Sequence, residues 1–254
     1  MKEKKNKQLI GTIYSNGSLQ VAKMISRAGF DWVMIDMEHS VLSLEQVQNS
    51  LPVFGNEILR IVRVPSNDET WIKRVLDTGC DGIMVPMVKT REDAEKLVRS
   101  SKYPPQGQRS VGLTRAHGFG QSFNEYLTGA SKNLIIMAQI EHIEAVSNLD
   151  SILDVSGINS IFIGPYDLSA SMGLPGQVRH PGVMKAIHLI RQKCRDAGVP
   201  YGIFGSGPEA LTVEITEGCR YLLCGVDNSL FSSALKDLYE RLHSETSNTN
   251  SHSL

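Results

Sequence analysis

The sequence predicts a (β/α)₈ barrel, on two positive observations and one negative one. Eight short apolar runs recur along 254 residues, and most are continuous rather than alternating, as strands buried on both faces require. Segments with helix start and stop signals separate them, the arithmetic of eight strand–helix units. The first run, "LIGTIY", is followed by "SNGSLQ" and not by GxGxxG, the phosphate loop that a doubly wound sheet usually carries there.

The predicted strands are 9–14 (LIGTIY), 32–36 (WVMID), 58–64 (ILRIVRV), 82–88 (GIMVPMV), 134–141 (LIIMAQIE), 160–164 (SIFIG), 201–205 (YGIFG) and 221–225 (YLLCG). Between them, Ser43 with Gln46 and Thr90 with Asp93 have the spacing of capping boxes. Pro181 and Pro208 suit the first turn of a helix. Gly29, Gly79, Gly198 and Gly218 stand where a helix should stop before the next strand. A last helix from about Asn228 to His243 carries Leu230, Leu235, Leu238 and Leu242 on one stripe. Those leucines cover either the chain's own barrel or a neighbour. No linker divides the chain, so one domain is expected over 9–243. A basic extension (1–8) precedes it and a polar, low-complexity tail (244–254), predicted to be disordered, follows.

Composition excludes several functions. A formal net charge of −1 gives no electrostatic basis for binding nucleic acid or an anionic membrane. No apolar run approaches the roughly 20 residues of a membrane span, and "MKEKKNKQLI" lacks the apolar core of a signal peptide. Cys80, Cys194, Cys219 and Cys224 form no CxxC pair and read as reduced thiols in a cytoplasmic protein.

In a barrel the carboxyl ends of the strands carry the chemistry. Strand 2 ends at Asp36, Glu38 and His39, strand 3 contributes Arg63, and strand 5 gives Gln139 and Glu141. Strand 6 runs into "GPYDLS" with Asp167, and strand 8 ends at Asp227. Each has a plain structural alternative. Asp167 suits a helix cap, Glu141 a first-turn carboxylate, Arg63 an ion pair, and His39 a satisfied strand-end imidazole. Together they make a chemical set. Glu141 and Asp167 are hard oxygen ligands suited to Mg²⁺ or Mn²⁺. Arg63 offers a planar fork to an oxyanion, and His39 is a base that works near neutral pH. Such a set fits enolisation of a 2-oxo acid. Lys89 lies past strand 4, so no lysine stands at a predicted strand end for Schiff-base chemistry.

From about Gly11 to Leu242 the chain resembles the metal-dependent class II pyruvate aldolases, a group that includes 4-hydroxy-2-oxoheptanedioate aldolase, 2-dehydro-3-deoxyglucarate aldolase and macrophomate synthase. "AGFDWVMIDMEHS", "YPPQGQRSVG", "QIE" and "IGPYDLSASMG" carry the likeness. The resemblance implies cleavage of a 4-hydroxy-2-oxo acid to pyruvate and an aldehyde. It implies a divalent cation (Mg²⁺, Mn²⁺ or Co²⁺) on Glu141 and Asp167, and His39 as proton acceptor. Arg63 would stabilise the enolate, while Gln139 and the backbone at Tyr166 and Asp167 would hold pyruvate. It assigns Asp77 as the carboxylate that raises the basicity of His39; the residues alone leave Asp36 as the alternative, because Asp77 ends a helix facing away from the rim. It also implies a homohexamer in which the C-terminal helix is exchanged between subunits. The sequence departs from the heptanedioate aldolase pattern at Ile13, at Tyr166 and in the "IFGSG" segment of strand 7. Other expectations with the same scaffold are oxaloacetate decarboxylation, an acyl-CoA lyase, or a catalytically silent binding protein.

Overall fold

Every predicted strand forms, and the eight strands hydrogen-bond in parallel and in sequence order, with β8 returning to β1 to close the barrel. The computed structural model describes residues 7–251; most of the basic extension (1–6) and the last three residues lie outside the described residues. The strands are β1 (Leu9–Tyr14), β2 (Trp32–Asp36), β3 (Leu59–Arg63), β4 (Gly82–Val85), β5 (Ile135–Ile140), β6 (Ser160–Ile163), β7 (Tyr201–Gly205) and β8 (Tyr221–Val226). The helices are α1 (Leu19–Arg27), α2 (Leu44–Phe54), α3 (Glu69–Asp77), α4 (Arg91–Ser101), α5 (Phe123–Asn133), α6 (Ile143–Ser147), α7 (Leu149–Leu153), α8 (Pro165–Ser171), α9 (Pro181–Asp196), α10 (Thr212–Thr216) and α11 (Asp227–Ser251).

Both capping boxes form, Ser43 with Gln46 on α2 and Thr90 with Asp93 on α4. Pro181 opens α9, and Pro208 opens a short 3₁₀ turn, Pro208–Leu211. The four predicted stop glycines all adopt positive φ, the conformation that costs any residue with a Cβ.

Alternation along the strands divides the apolar residues between two cores. Trp32, Met34, Ile61, Met84, Met137, Phe162 and Leu223 fill the barrel interior. Their neighbours Val33, Ile35, Val62, Ile83, Ile136, Ile161 and Leu222 face the helices in a larger shell. The interior floor is sealed by Trp32, whose indole donates to the carbonyls of Leu9 and Leu222. A Cβ at Gly11 would sit 2.4 Å from that indole nitrogen, so only glycine leaves room for it.

The barrel seam is fastened by Asp227, the first residue of α11. Its carboxylate accepts from the Ser15 N–H (2.9 Å), the Ser15 hydroxyl (2.6 Å) and the Asn16 N–H (2.9 Å). That occupies the strand-8 residue counted among the rim candidates. Helix α11 runs through residues 244–251, where composition predicts disorder. Its Leu230, Leu235, Leu238 and Leu242 are all more than half exposed, although Leu230 also lies against Gly225 of β8. No helix among the described residues is long and apolar enough to cross a membrane. All four cysteines are free thiols.

Candidate active site

Period-two alternation decides which polar residues enter the barrel. On β2 the inward positions are Trp32, Met34 and then Asp36; on β3 they are Leu59, Ile61 and then Arg63. Asp36 and Arg63 are also direct cross-strand partners in the β2–β3 register. The result is a bidentate pair: Arg63 donates from Nε to Asp36 Oδ1 (2.9 Å) and from Nη2 to Oδ2 (2.8 Å). Both residues are buried. Burial pushes the Asp36 carboxyl up, but Arg63 and the backbone N–H groups of Glu38 and His39 hold it below the usual range. Arg63 therefore fulfils its structural alternative, and its Nη1 is left free of Asp36.

The chain bends after Asp36 and brings Glu38 Oε2 to 3.1 Å from that Nη1. Glu38 Oε2 is buried and makes no hydrogen bond among the described residues. Burial raises the Glu38 carboxyl to about 7 against the opposing charge of Arg63, and the charges of Asp36 and Asp167 add to the rise.

Glu141 follows inward-facing Met137 and Gln139 at the end of β5. It is 2 % exposed. It accepts from the Met87 N–H (2.8 Å) and, in a close contact, from the amide of Gln139. Met87 holds φ +55°, and β4 stops at Val85 instead of running through Met87 and Val88. Burial lifts the Glu141 carboxyl to about 7, opposed by those two hydrogen bonds and reinforced by the charges of Glu38 and Asp167. Gly164 closes this corner: a Cβ there would stand 2.8 Å from Cβ and Oε2 of Glu141. Asp167 lies exposed in the first turn of α8 and makes no side-chain cap.

These elements surround a cavity of about 320 Å³. Asp36, His39, Arg63, Gln139 and Asp167 line one side; Ile13, Phe162, Phe204, Leu223 and Val226 line the other, with Tyr166 at the mouth. All three departures from the aldolase pattern fall at the apolar side or the mouth.

A divalent cation was expected on Glu141 and Asp167, and the residues fit one. The charges of Glu38 and Asp167 add to the rise of the Glu141 carboxyl, and that of Asp167 also to the rise of Glu38, so negative charge gathers at this corner. The carbonyl oxygen of Gln139 is buried beside them without a hydrogen-bond partner among the described residues. The donors are all oxygen, which suits a hard cation. Among the described residues no three His, Cys, Asp or Glu side chains converge to hold an ion alone, so the remaining ligands would be water or substrate oxygens.

The structure does not form the expected His39–Asp77 pair within this chain. Asp77 ends α3 on the outer layer, accepts from Arg109 (2.7 Å), and borders a separate cavity with Arg74, Thr114 and Arg115. Asp36, the alternative, spends both oxygens on Arg63. Within ion-pair reach of the imidazole is Glu38, whose Oε2 lies 3.9 Å from His39 Nε2. The sequence places Glu38 at the rim but assigns it no role, because a bend and not a strand period orients it. The Asp36–Arg63 pair, by contrast, is signalled by two inward alternations that end on adjacent strands.

Comparison with known proteins agrees with this architecture. The family model described as HpcH/HpaI aldolase/citrate lyase matches residues 12–234. A protein named hydroxypyruvate/pyruvate aldolase from Roseobacter denitrificans is 36% identical over 234 residues, covering 91% of each chain. One named 4-hydroxy-2-oxovalerate aldolase from Rhodococcus jostii is 37% identical, covering 91% of this chain and 90% of its own. The crystal structure of an aldolase/citrate lyase family protein from Burkholderia cenocepacia superposes with a TM-score of 0.90 at 31% identity, covering 94% of this chain and 95% of that one.

Proposed function

The chain belongs to the HpcH/HpaI aldolase/citrate lyase family, and from that premise we propose that it is a divalent-metal-dependent aldolase. It reversibly cleaves a 4-hydroxy-2-oxo acid to pyruvate and an aldehyde. The observation that carries this reading is the convergence of His39, Arg63, Gln139 and Asp167 on one cavity, with Arg63 locked in place by Asp36.

Glu141 and Asp167 would hold Mg²⁺, Mn²⁺ or Co²⁺. When bound, such a cation supplies a Lewis acid for the carboxylate and keto oxygens of the 2-oxo acid. The protein's residues do the rest. Gln139, with its unused carbonyl oxygen, and the backbone at Tyr166 and Asp167 orient the acid. His39, exposed at the rim, accepts the proton of the C4 hydroxyl. As the C3–C4 bond breaks, its electron pair moves into the enolate of pyruvate. Arg63, fixed against rotation by two hydrogen bonds, presents Nη1 to the charge that develops on oxygen, without reorganising at the moment of reaction. Protonation at C3 releases pyruvate. Oxaloacetate decarboxylation needs the same enolate but no hydroxyl proton. An acyl-CoA lyase would need a basic surface for phosphates, and the sequence shows no such cluster.

The exposed apolar residues of α11, among them Phe231 and Tyr239 beside the leucines, support assembly into a homo-oligomer, a hexamer by resemblance; the four free thiols fit a cytoplasmic setting.

The test is pyruvate release from a 4-hydroxy-2-oxo acid, and the reverse condensation, with and without chelator. Activity should disappear with chelator and return with Mg²⁺, Mn²⁺ or Co²⁺. Full turnover by protein shown metal-free by elemental analysis would overturn the metal assignment. A protein inert towards all 4-hydroxy-2-oxo acids and oxaloacetate would leave the silent binding barrel standing.

A further inference from the structure

The cavity has two chemically distinct walls because they come from different arcs of the barrel. Its polar side chains stand on or just after β2, β3 and β5, with Asp167 on α8 directly after β6, whereas Ile13 (β1), Phe162 (β6), Phe204 (β7), and Leu223 and Val226 (β8) form a continuous apolar arc; Met34 on β2 also lines the cavity. Tyr166 extends this arc at the mouth, its ring centroid 6.0 Å from that of Phe204. The polar groups bordering the arc are the Tyr166 hydroxyl at the mouth and Ser15, and Asp227 already engages both the hydroxyl and the N–H of Ser15. Among the described residues lining the cavity, the guanidinium is Arg63, with Asp36 holding two of its donor groups. Among the described residues of this chain that line the cavity, no lysine or second arginine stands ready for a distal carboxylate.

We propose that this arc is the seat of the aldehyde, and that it selects uncharged aldehydes with an apolar alkyl or aryl chain against carboxylated or polyhydroxylated ones. The proposal rests on the aldolase reading above and names the substrate class of the same site. In condensation, pyruvate loses a methyl proton and its C3 forms a bond to the aldehyde carbonyl carbon. That carbonyl oxygen takes up a proton and becomes the C4 hydroxyl. The oxygen must lie towards His39, so the chain on the other side of the aldehyde carbon meets β6, β7, β8 and β1. An apolar chain loses water on both surfaces there. A carboxylate or a row of hydroxyls would lose its hydration to Ile13, Phe162, Phe204, Leu223 and Val226, side chains that offer no donors in exchange. Pocket discrimination of this kind is on the order of 10- to 100-fold.

The experiment compares kcat/KM for butanal and benzaldehyde with succinic semialdehyde and glyceraldehyde, in the metal-loaded protein at saturating pyruvate. Oxaloacetate decarboxylation, which involves no aldehyde, is measured in parallel. The apolar pair should lead by about 10-fold or more. Parity, or preference for the carboxylated or hydroxylated aldehydes, overturns the inference; if decarboxylation persists, the chemistry proposed above still stands. Absence of decarboxylation and of condensation with every aldehyde overturns both. Phe204→Arg, a change at a partly exposed position, supplies the missing cation. It should move the butanal to succinic semialdehyde ratio at least about 10-fold towards the carboxylate. An unmoved ratio in the folded variant also overturns the inference.

Discussion

Replacing Asp36 with asparagine tests whether the barrel holds its reactive arginine at a cost in stability. The variant keeps Oδ1, so the N–H groups of Glu38 and His39 retain an acceptor. It loses the oxygen that accepts from Arg63 Nη2 and sets an NH₂ against that donor. Arg63 is 9% exposed and Asp36 3%, so little solvent screens the pair, and removing one partner strands a buried cation. Such a loss costs about 3–5 kcal/mol. Glu38, already 3.1 Å from Nη1, can ionise more readily and take up part of the charge, which puts the expected loss near 3 kcal/mol. Arg63→Met removes the stranded cation, so Asp36→Asn/Arg63→Met should be more stable than the two single losses added together, by about 2–3 kcal/mol. Urea denaturation of the four proteins, at constant m-value, measures the cycle. Additive losses within about 0.5 kcal/mol would refute the reasoning. Turnover should be lost in both variants lacking Arg63, whatever their stability.

Two further outcomes follow from the site. Between about pH 4.5 and 7 the folded protein carries more protons on Glu38 and Glu141 than the unfolded chain does; metal-free stability should therefore fall as pH rises through that window and level off above it. A melting temperature in chelator that holds constant or climbs from pH 5 to 7.5 contradicts this. His39→Ala should lose aldol cleavage by about 10²- to 10⁴-fold while oxaloacetate decarboxylation suffers far less; equal losses, with metal content checked, would assign the imidazole to the fold or to cation binding.

Strands were legible because their signal is local. Burial on both faces demands consecutive apolar residues, and each of the eight runs shows them. Where the run "GIMVPMV" continues past the strand, the cause is tertiary: Met87 takes a left-handed conformation and gives its N–H to Glu141, a partner 54 residues away. Arg63, Gln139 and Glu141 were legible by alternation, which delivers them to one end of the barrel. The orientation of Glu38 depends on a bend, for which no spacing rule exists. Asp77 shows the opposite difficulty. Its place at the end of α3 was readable and points outward, and this chain alone gives it Arg109 as partner. Over residues 244–251 the polar composition predicts no packed core, and α11 continues through them because a helix already started can add turns without one.

The carboxylate of Asp227 belongs to the last helix, yet its acceptor sites are filled by the loop after the first strand, and Ser15 in that loop borders the cavity. The two ends of the barrel sequence are thus wired to the same lip. A displacement of α11 would be transmitted through three hydrogen bonds to the entrance, with no intervening segment to absorb it. The largely bare helix that follows Asp227 is in that sense a handle attached to the mouth of the barrel.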